Sequence, residues 1–184
     1  MSSSAVFLDR DDTLIRDRGY LSDPGGIEFL PGAPEAVRLL NEAGVPAILV
    51  TNQSGIARGL LDEARLSAIH ERLRELLAER GARLDAVYFC PHHPEGAVPE
   101  LSISCACRKP APGLLLQAAK DFGLDLPSCF MIGDKIEDVQ TIRGVGGTGV
   151  LIDTGKPVGP DVKPDFVARD LTGAVQWVLS AMKK

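Results

Sequence analysis

Four short polar clusters stand where apolar runs of this chain end. Asp9-Arg10-Asp11-Asp12-Thr13 follows the run Ala5–Leu8, and Thr51-Asn52-Gln53-Ser54-Gly55 follows Ala47–Val50. Arg108-Lys109-Pro110 closes the long connection after Ala86–Phe89. Gly133-Asp134-Lys135 follows Cys129–Ile132, with Glu137 and Asp138 close behind. Carboxylates gathered at one place repel each other unless a hard cation sits among them, and oxygen donors on an open site suit Mg²⁺. Lysine and hydroxyl donors opposite that cation suit a phosphoryl group. Any one of these acidic residues alone is an ordinary helix cap or solvated turn. The ordered set of Asp9, Asp11, Thr51, Lys109 and Asp134 is what points to phosphoryl chemistry.

A second constellation lies in the loop 90–107. Cys90-Pro91-His92 and Cys105-Ala106-Cys107 offer three sulfurs and one ring nitrogen, a donor set suited to a structural Zn²⁺. His93 can stand in for His92. An inert reduced loop or a disulfide remains the alternative. Cys129, at the head of an apolar run, reads as a small buried residue rather than a ligand.

The elements that must position these residues alternate. The apolar runs are short, branched and continuous, as in strands covered on both faces of a parallel sheet. Val150–Ile152 and Phe166–Ala168 add two more strands. Helical periodicity marks Ala33–Ala43, Asp62–Arg80, Pro112–Phe122, Lys135–Arg143 and Leu171–Ala181, with Gly44 and Gly81 as stops. On the second of these, Leu66, Ile69, Leu73, Leu76 and Leu77 form one stripe, and His70 is expected at the surface. Trp177 is expected in the core. Asp153–Pro164 reads as a surface loop. Alternating strands and helices give an α/β fold with a mainly parallel sheet, and residues 1–184 are expected to form one domain. Gly144–Gly149 fits G-x-G-x-x-G, but it follows a helix and precedes a strand. That is the wrong order for dinucleotide binding, so it reads as a turn.

Composition narrows the function. Of 184 residues, 20 are Lys or Arg and 25 are Asp or Glu, a net charge of −5. A grip on nucleic-acid backbone normally needs a basic surface, so no nucleic-acid partner is expected. No apolar run approaches the ~20 residues that span a bilayer, and the amino terminus lacks a basic region before its apolar run. A cytoplasmic monomer with no membrane partner is the expectation.

Phe7-Leu8-Asp9-Arg10-Asp11-Asp12-Thr13-Leu14 resembles the first motif of the haloacid dehalogenase (HAD) superfamily of phosphatases. Thr51 matches the second motif, Lys109 the third and Gly133-Asp134 the fourth. The resemblance implies a HAD-like Rossmannoid three-layer sandwich. It implies that Asp9 is a nucleophile forming an aspartyl-phosphate and that Asp11 is the general acid and then base. It also implies Mg²⁺ held by Asp9, Asp134 and the main-chain carbonyl of Asp11, with Thr51 and Lys109 on the phosphoryl oxygens. Neither the interval from Asp9 to Thr51 nor that from Thr51 to Lys109 has room for a cap domain, so the site is expected to be capless and open. Cys-Pro-His-His-Pro, the second cysteine pair, Arg108-Lys109-Pro110, Asp17-Arg18-Gly19-Tyr20, Thr51 to Gly59 and Thr154-Gly155-Lys156-Pro157 resemble the heptose-bisphosphate branch of that superfamily, whose near relatives act on histidinol phosphate. The branch implies a phosphorylated sugar as substrate, loss of the 7-phosphate of a heptose 1,7-bisphosphate, and a place in heptose and lipopolysaccharide synthesis. It implies that Asp17, Arg18, Gly19, Tyr20, Thr51, Asn52, Gln53 and Ser54 line the pocket, that Arg108 contacts substrate and that Lys135 lies beside the phosphate. A histidinol-phosphate phosphatase and an inactive phosphosugar-binding protein are the competing expectations. One departure stands out: the family usually has Gly where this chain has Asp12.

Overall fold

A computed structural model describes residues 3–155 and 163–183. Six strands, β1 (Val6–Leu8), β2 (Ala47–Asn52), β3 (Ala86–Cys90), β4 (Phe130–Gly133), β5 (Thr148–Ile152) and β6 (Phe166–Ala168), form one sheet in the order β3-β2-β1-β4-β5-β6. Every pairing is parallel. Five helices connect them: α1 (Ala33–Glu42), α2 (Glu63–Ala78), α3 (Gly113–Phe122), α4 (Ile136–Arg143) and α5 (Leu171–Ala181).

Alternation along each strand sends side chains to two separate cores. Val6 and Leu8 of β1 join Val37, Leu40, Ile69, Leu73 and Val175 from α1, α2 and α5. Phe7, between them, joins Leu114, Leu115 and Ile142 from α3 and α4 on the other face. The result is three layers, helix on sheet on helix. The two apolar faces explain why the strands read as unbroken hydrophobic runs. Trp177 is half-buried, stacked on Phe166 at 4.7 Å between ring centroids.

Local chemistry sets the ends of the helices. The Asp62 side chain accepts the Arg65 N–H at the start of α2, and Asp170 accepts the Gly173 N–H at the start of α5. The strand order reverses around β1, which lies between β2 and β4. A parallel sheet opens a crevice at the carboxyl ends of its strands beside such a reversal. The residues after β1, β2 and β4 are thereby neighbours in space. No inserted domain interrupts the connections among the described residues, and none of their helices is long and apolar enough to cross a membrane.

Two expectations change. His70 is 5% exposed rather than at the surface, with its ring beside Phe89. It shares the inward face of α2 with Leu66, Ile69, Leu73 and Leu77. Cys129 precedes β4 instead of opening it and is fully buried, as expected of a small apolar residue. Most of the loop expected at 153–164, with Lys156 and Pro157, lies outside the described residues.

Candidate active site

A cleft of about 340 Å³ opens at the carboxyl ends of β1, β2 and β4. Its floor is a buried ion cluster. Lys109, 5% exposed, donates all three of its ammonium N–H bonds: to Asp9 Oδ1 at 2.7 Å, Asp138 Oδ1 at 2.6 Å and the Val50 carbonyl at 2.9 Å. An ammonium has three donors and no acceptor, so it is fully satisfied here. Burial alone would discharge it, but the two carboxylates hold its pKa above the usual lysine range. Asp138 is pushed up by burial and pulled back by Lys109. The 2.6 Å contact between ammonium and carboxylate favours the charged form of both.

Asp138 stands close behind Lys135 in the sequence, but no motif assigned it a role in the site. It is the third residue of α4, and its second oxygen accepts the Lys135 N–H at 3.1 Å, as an acidic residue in a first helical turn commonly does. A Cβ on Gly133 would stand 2.0 Å from Asp138 Oδ2. The glycine that ends β4 is therefore what lets this carboxylate fold back onto the strand end. An acidic side chain three residues beyond Lys135, following Gly-Asp-Lys, was the available signal.

The backbone of Lys109 is fixed from β2. Asn52 accepts the Lys109 N–H at 3.0 Å and donates to its carbonyl at 3.1 Å. The Cys/His loop holds the neighbouring residue, because the Arg108 N–H points to Cys105 Sγ at 3.3 Å and its guanidinium donates to the His92 carbonyl at 3.3 Å. Arg108, Lys109 and Lys135 all reach the cleft. Burial opposes the charge on Lys135, but Asp9, Asp134, Asp138 and Asp11 together raise its pKa.

The remaining predicted site residues separate into three groups. Asp9, Asp11, Asp17, Gly19, Tyr20, Asn52, Gln53 and Ser54 line the cleft. Thr51 lies behind that lining, fully buried, its hydroxyl accepting from the Gln53 amide at 2.8 Å. Arg18 does not join the lining: it is exposed and paired with Glu28.

Two sets of side chains fit metal ions. Carboxylate oxygens of Asp9, Asp134 and Asp138 lie within 4.8 Å of one another, a hard-donor set with more negative charge than Lys109 and Lys135 offset. Cys90, His92, Cys105 and Cys107 form the second set. The three sulfurs are 3.2, 3.3 and 3.5 Å apart and His92 Nδ1 is 3.3 Å from Cys107 Sγ. These separations exceed a disulfide bond, and all four cysteines are free. They approach the edges of a tetrahedron with bonds of about 2.3 Å, so the donors fit Zn²⁺. His93 does not take the place of His92: it stands beside Arg58 at 3.3 Å and accepts the Glu95 N–H.

Comparison with known proteins follows this geometry closely. A HAD-hydrolase-like family model matches residues 106–174. The chain is 44% identical to a D-glycero-β-D-manno-heptose-1,7-bisphosphate 7-phosphatase of Yersinia pestis, across 98% of this chain and 92% of the relative. It is 42% identical to the protein of the same name from Escherichia coli strain K12, across 98% and 91%. A crystal structure of D,D-heptose 1,7-bisphosphate phosphatase from B. bronchiseptica, complexed with magnesium and phosphate, superposes with a TM-score of 0.81 at 31% identity, across 98% and 99%. Likeness of this degree over nearly the whole length of both partners places the chain in the family of the D-glycero-β-D-manno-heptose-1,7-bisphosphate 7-phosphatases, among the HAD-like hydrolases.

Proposed function

We propose that this chain is a Mg²⁺-dependent phosphatase that removes the 7-phosphate of D-glycero-β-D-manno-heptose 1,7-bisphosphate. One observation carries the proposal: a buried ammonium, Lys109, orients Asp9 at the floor of a cleft whose rim bears Arg108 and Lys135. The names of the family members supply the sugar and the anomer.

The chemistry runs through this chain's own groups. The Asp9 carboxylate attacks phosphorus, and the bond from phosphorus to the C7 oxygen breaks. The leaving oxygen keeps the electron pair and takes a proton from Asp11, which lies beside Asp9 on the same turn. An aspartyl-phosphate on Asp9 results. Asp11, now ionised, takes a proton from water, and that water displaces the phosphoryl group from Asp9 as inorganic phosphate. One hard displacement is divided into two easier ones. Lys109 fixes the orientation of Asp9, while Arg108 and Lys135 face the dianion from the rim. Mg²⁺ would be held by the carboxylates of Asp9 and Asp134 and the main-chain carbonyl of Asp11, and would supply the positive charge that offsets repulsion between carboxylates and phosphate. Zn²⁺ in the Cys/His set would hold the loop that anchors Arg108, a structural role away from the reacting atoms.

The test is phosphate release, with Mg²⁺, from both anomers of the heptose bisphosphate and from histidinol phosphate. The highest kcat/KM is expected for the β-anomer, and Asp9→Asn should remove turnover while the ester still binds. Preference for histidinol phosphate would overturn the substrate, and full activity of Asp9→Asn would overturn the covalent route.

A further inference from the structure

Arg10 is the largest fully buried side chain among the described residues, at 1% exposure. Its guanidinium is permanently charged, so its partners must account for that charge. Nε and Nη2 donate to Asp11 Oδ1 at 3.1 and 3.0 Å, and Nη2 also reaches Gln53 Oε1 at 2.9 Å. The Gln53 amide in turn donates to Asp11 Oδ2 at 3.0 Å. Both oxygens of Asp11 are thereby held, one by Arg10 and one by Gln53.

The far side of the guanidinium faces helix α2. Arg10 Nη1 lies 3.4 Å from His70 Nε2. Arginine only donates, so the ring must present a bare Nε2 and carry its proton on Nδ1. Around the ring stand Arg10 from the β1 turn, Arg74 from its own helix and the Phe89 ring from β3. Burial, Arg10 and Arg74 push the imidazole down to about 3, so it is a neutral acceptor. A carboxylate at this place would draw the guanidinium toward itself. A neutral nitrogen fixes the plane of the fork and leaves the charge directed at Asp11.

We propose that Arg10 and His70 are positioning residues for proton transfer: His70 sets the plane of the Arg10 guanidinium, and Arg10 sets the direction in which Asp11 faces the leaving oxygen. The proposal rests on the phosphatase activity proposed above. It reaches across the fold, from an inward helical position to the acid–base group, without His70 touching substrate. Misplacing a reacting group by about 1 Å can cost on the order of 10²-fold in rate.

The experiment exploits the leaving group. An alkyl ester such as the heptose phosphate needs a proton on its departing oxygen, whereas p-nitrophenolate leaves as an anion. The quantity kcat/KM covers steps up to cleavage of the phosphorus–oxygen bond and omits the later hydrolysis common to both esters. His70→Leu should lower kcat/KM on the heptose bisphosphate by about tenfold or more, with less than about threefold change on p-nitrophenyl phosphate. His70→Gln, whose amide oxygen can accept from Arg10, should recover most of the loss. Arg10→Lys keeps the charge but loses the fork, and should show the same split. It serves as the second variant if the leucine protein does not fold, with circular dichroism as the check. A parallel fall on both esters would reduce the pair to a structural role and overturn the proposal, as would no change on either ester or failure of the glutamine to recover activity. A wild type inactive on both esters would instead overturn the phosphatase activity itself, so the two failures are distinguishable.

Discussion

A buried histidine held neutral makes stability depend on pH in a way that can be worked out beforehand. His70 is 5% exposed, and burial first, then the charges of Arg10 and Arg74, lower its pKa from 6.5 to about 3. In the unfolded chain the ring returns to water and to its ordinary value. The unfolded state therefore binds more protons at any pH between the two values, and stability rises with pH. The contribution is fully present above 6.5 and is lost progressively as pH falls toward 3. The whole gap corresponds to about 5 kcal/mol, at roughly 1.4 kcal/mol per pH unit. At pH 5 the loss is about 2 kcal/mol, a figure that hardly changes for any folded value below about 4. Urea unfolding at pH 8 and pH 5 measures it, with His70→Gln as the partner because glutamine does not titrate. Wild type should lose about 2 kcal/mol more than the variant between the two conditions. Both proteins keep the Cys/His cluster and the same carboxylates, so the responses of those groups cancel in the difference. Equal losses would refute the reasoning, since they would mean that the native ring accepts a proton as readily as the unfolded one.

Three further substitutions test the floor of the cleft and the loop beside it. Lys109→Met leaves Asp9 and Asp138 as facing buried carboxylates and the Val50 carbonyl without its donor; a loss of about 3–5 kcal/mol in urea unfolding is expected. Gly133→Ala puts a Cβ where Asp138 Oδ2 now stands, so the carboxylate must leave Lys109 and the Lys135 N–H, at about 2–4 kcal/mol and with a fall in kcat. Cys107→Ala should lower the zinc content measured by metal analysis and reduce Tm by about 5 °C or more. Zinc absent from untreated wild type would refute the metal assignment of that loop.

The strands were legible because helices cover both faces of the sheet, so each strand is apolar throughout. Their carboxyl ends were less so. Thr51 and Asn52 continue the β2 ladder opposite Phe89 and Cys90, beyond the last apolar residue, because backbone pairing does not stop where hydrophobicity stops. His70 was misread by its type rather than its position. Residues 66, 70, 73 and 77 follow helical spacing and share one face, so the periodicity already placed the ring inward. A polar residue on an apolar stripe needs a partner, and that partner, Arg10, is 60 residues away in sequence and invisible to periodicity. The same limit hid the role of Asp138: its bond to Lys109 spans 29 residues and depends on the missing side chain at Gly133.

Asp12 shows how a departure that looks chemical can be a matter of backbone. A third carboxylate next to Asp9 and Asp11 would repel an incoming phosphate dianion if it faced the cleft. The residue has φ of 56°, in the left-handed region, the one non-glycine among the described residues with positive φ. Glycine is common at such a position because it carries no Cβ, and aspartate is among the few residues that occupy it readily. Its Oδ1 accepts the Asp17 N–H at 3.0 Å, and Asp17 then accepts the Gly19 N–H at 2.8 Å. The side chain is thus turned into the loop that carries Asp17, Gly19 and Tyr20 to the cleft. Where glycine would leave that loop to be ordered by backbone alone, aspartate adds a side-chain bond to it, worth on the order of 1 kcal/mol and set against a left-handed cost of similar size. Asp12 serves the geometry of the turn, and the charge that matters for the phosphate stays with Asp9, Asp11 and the cations around them.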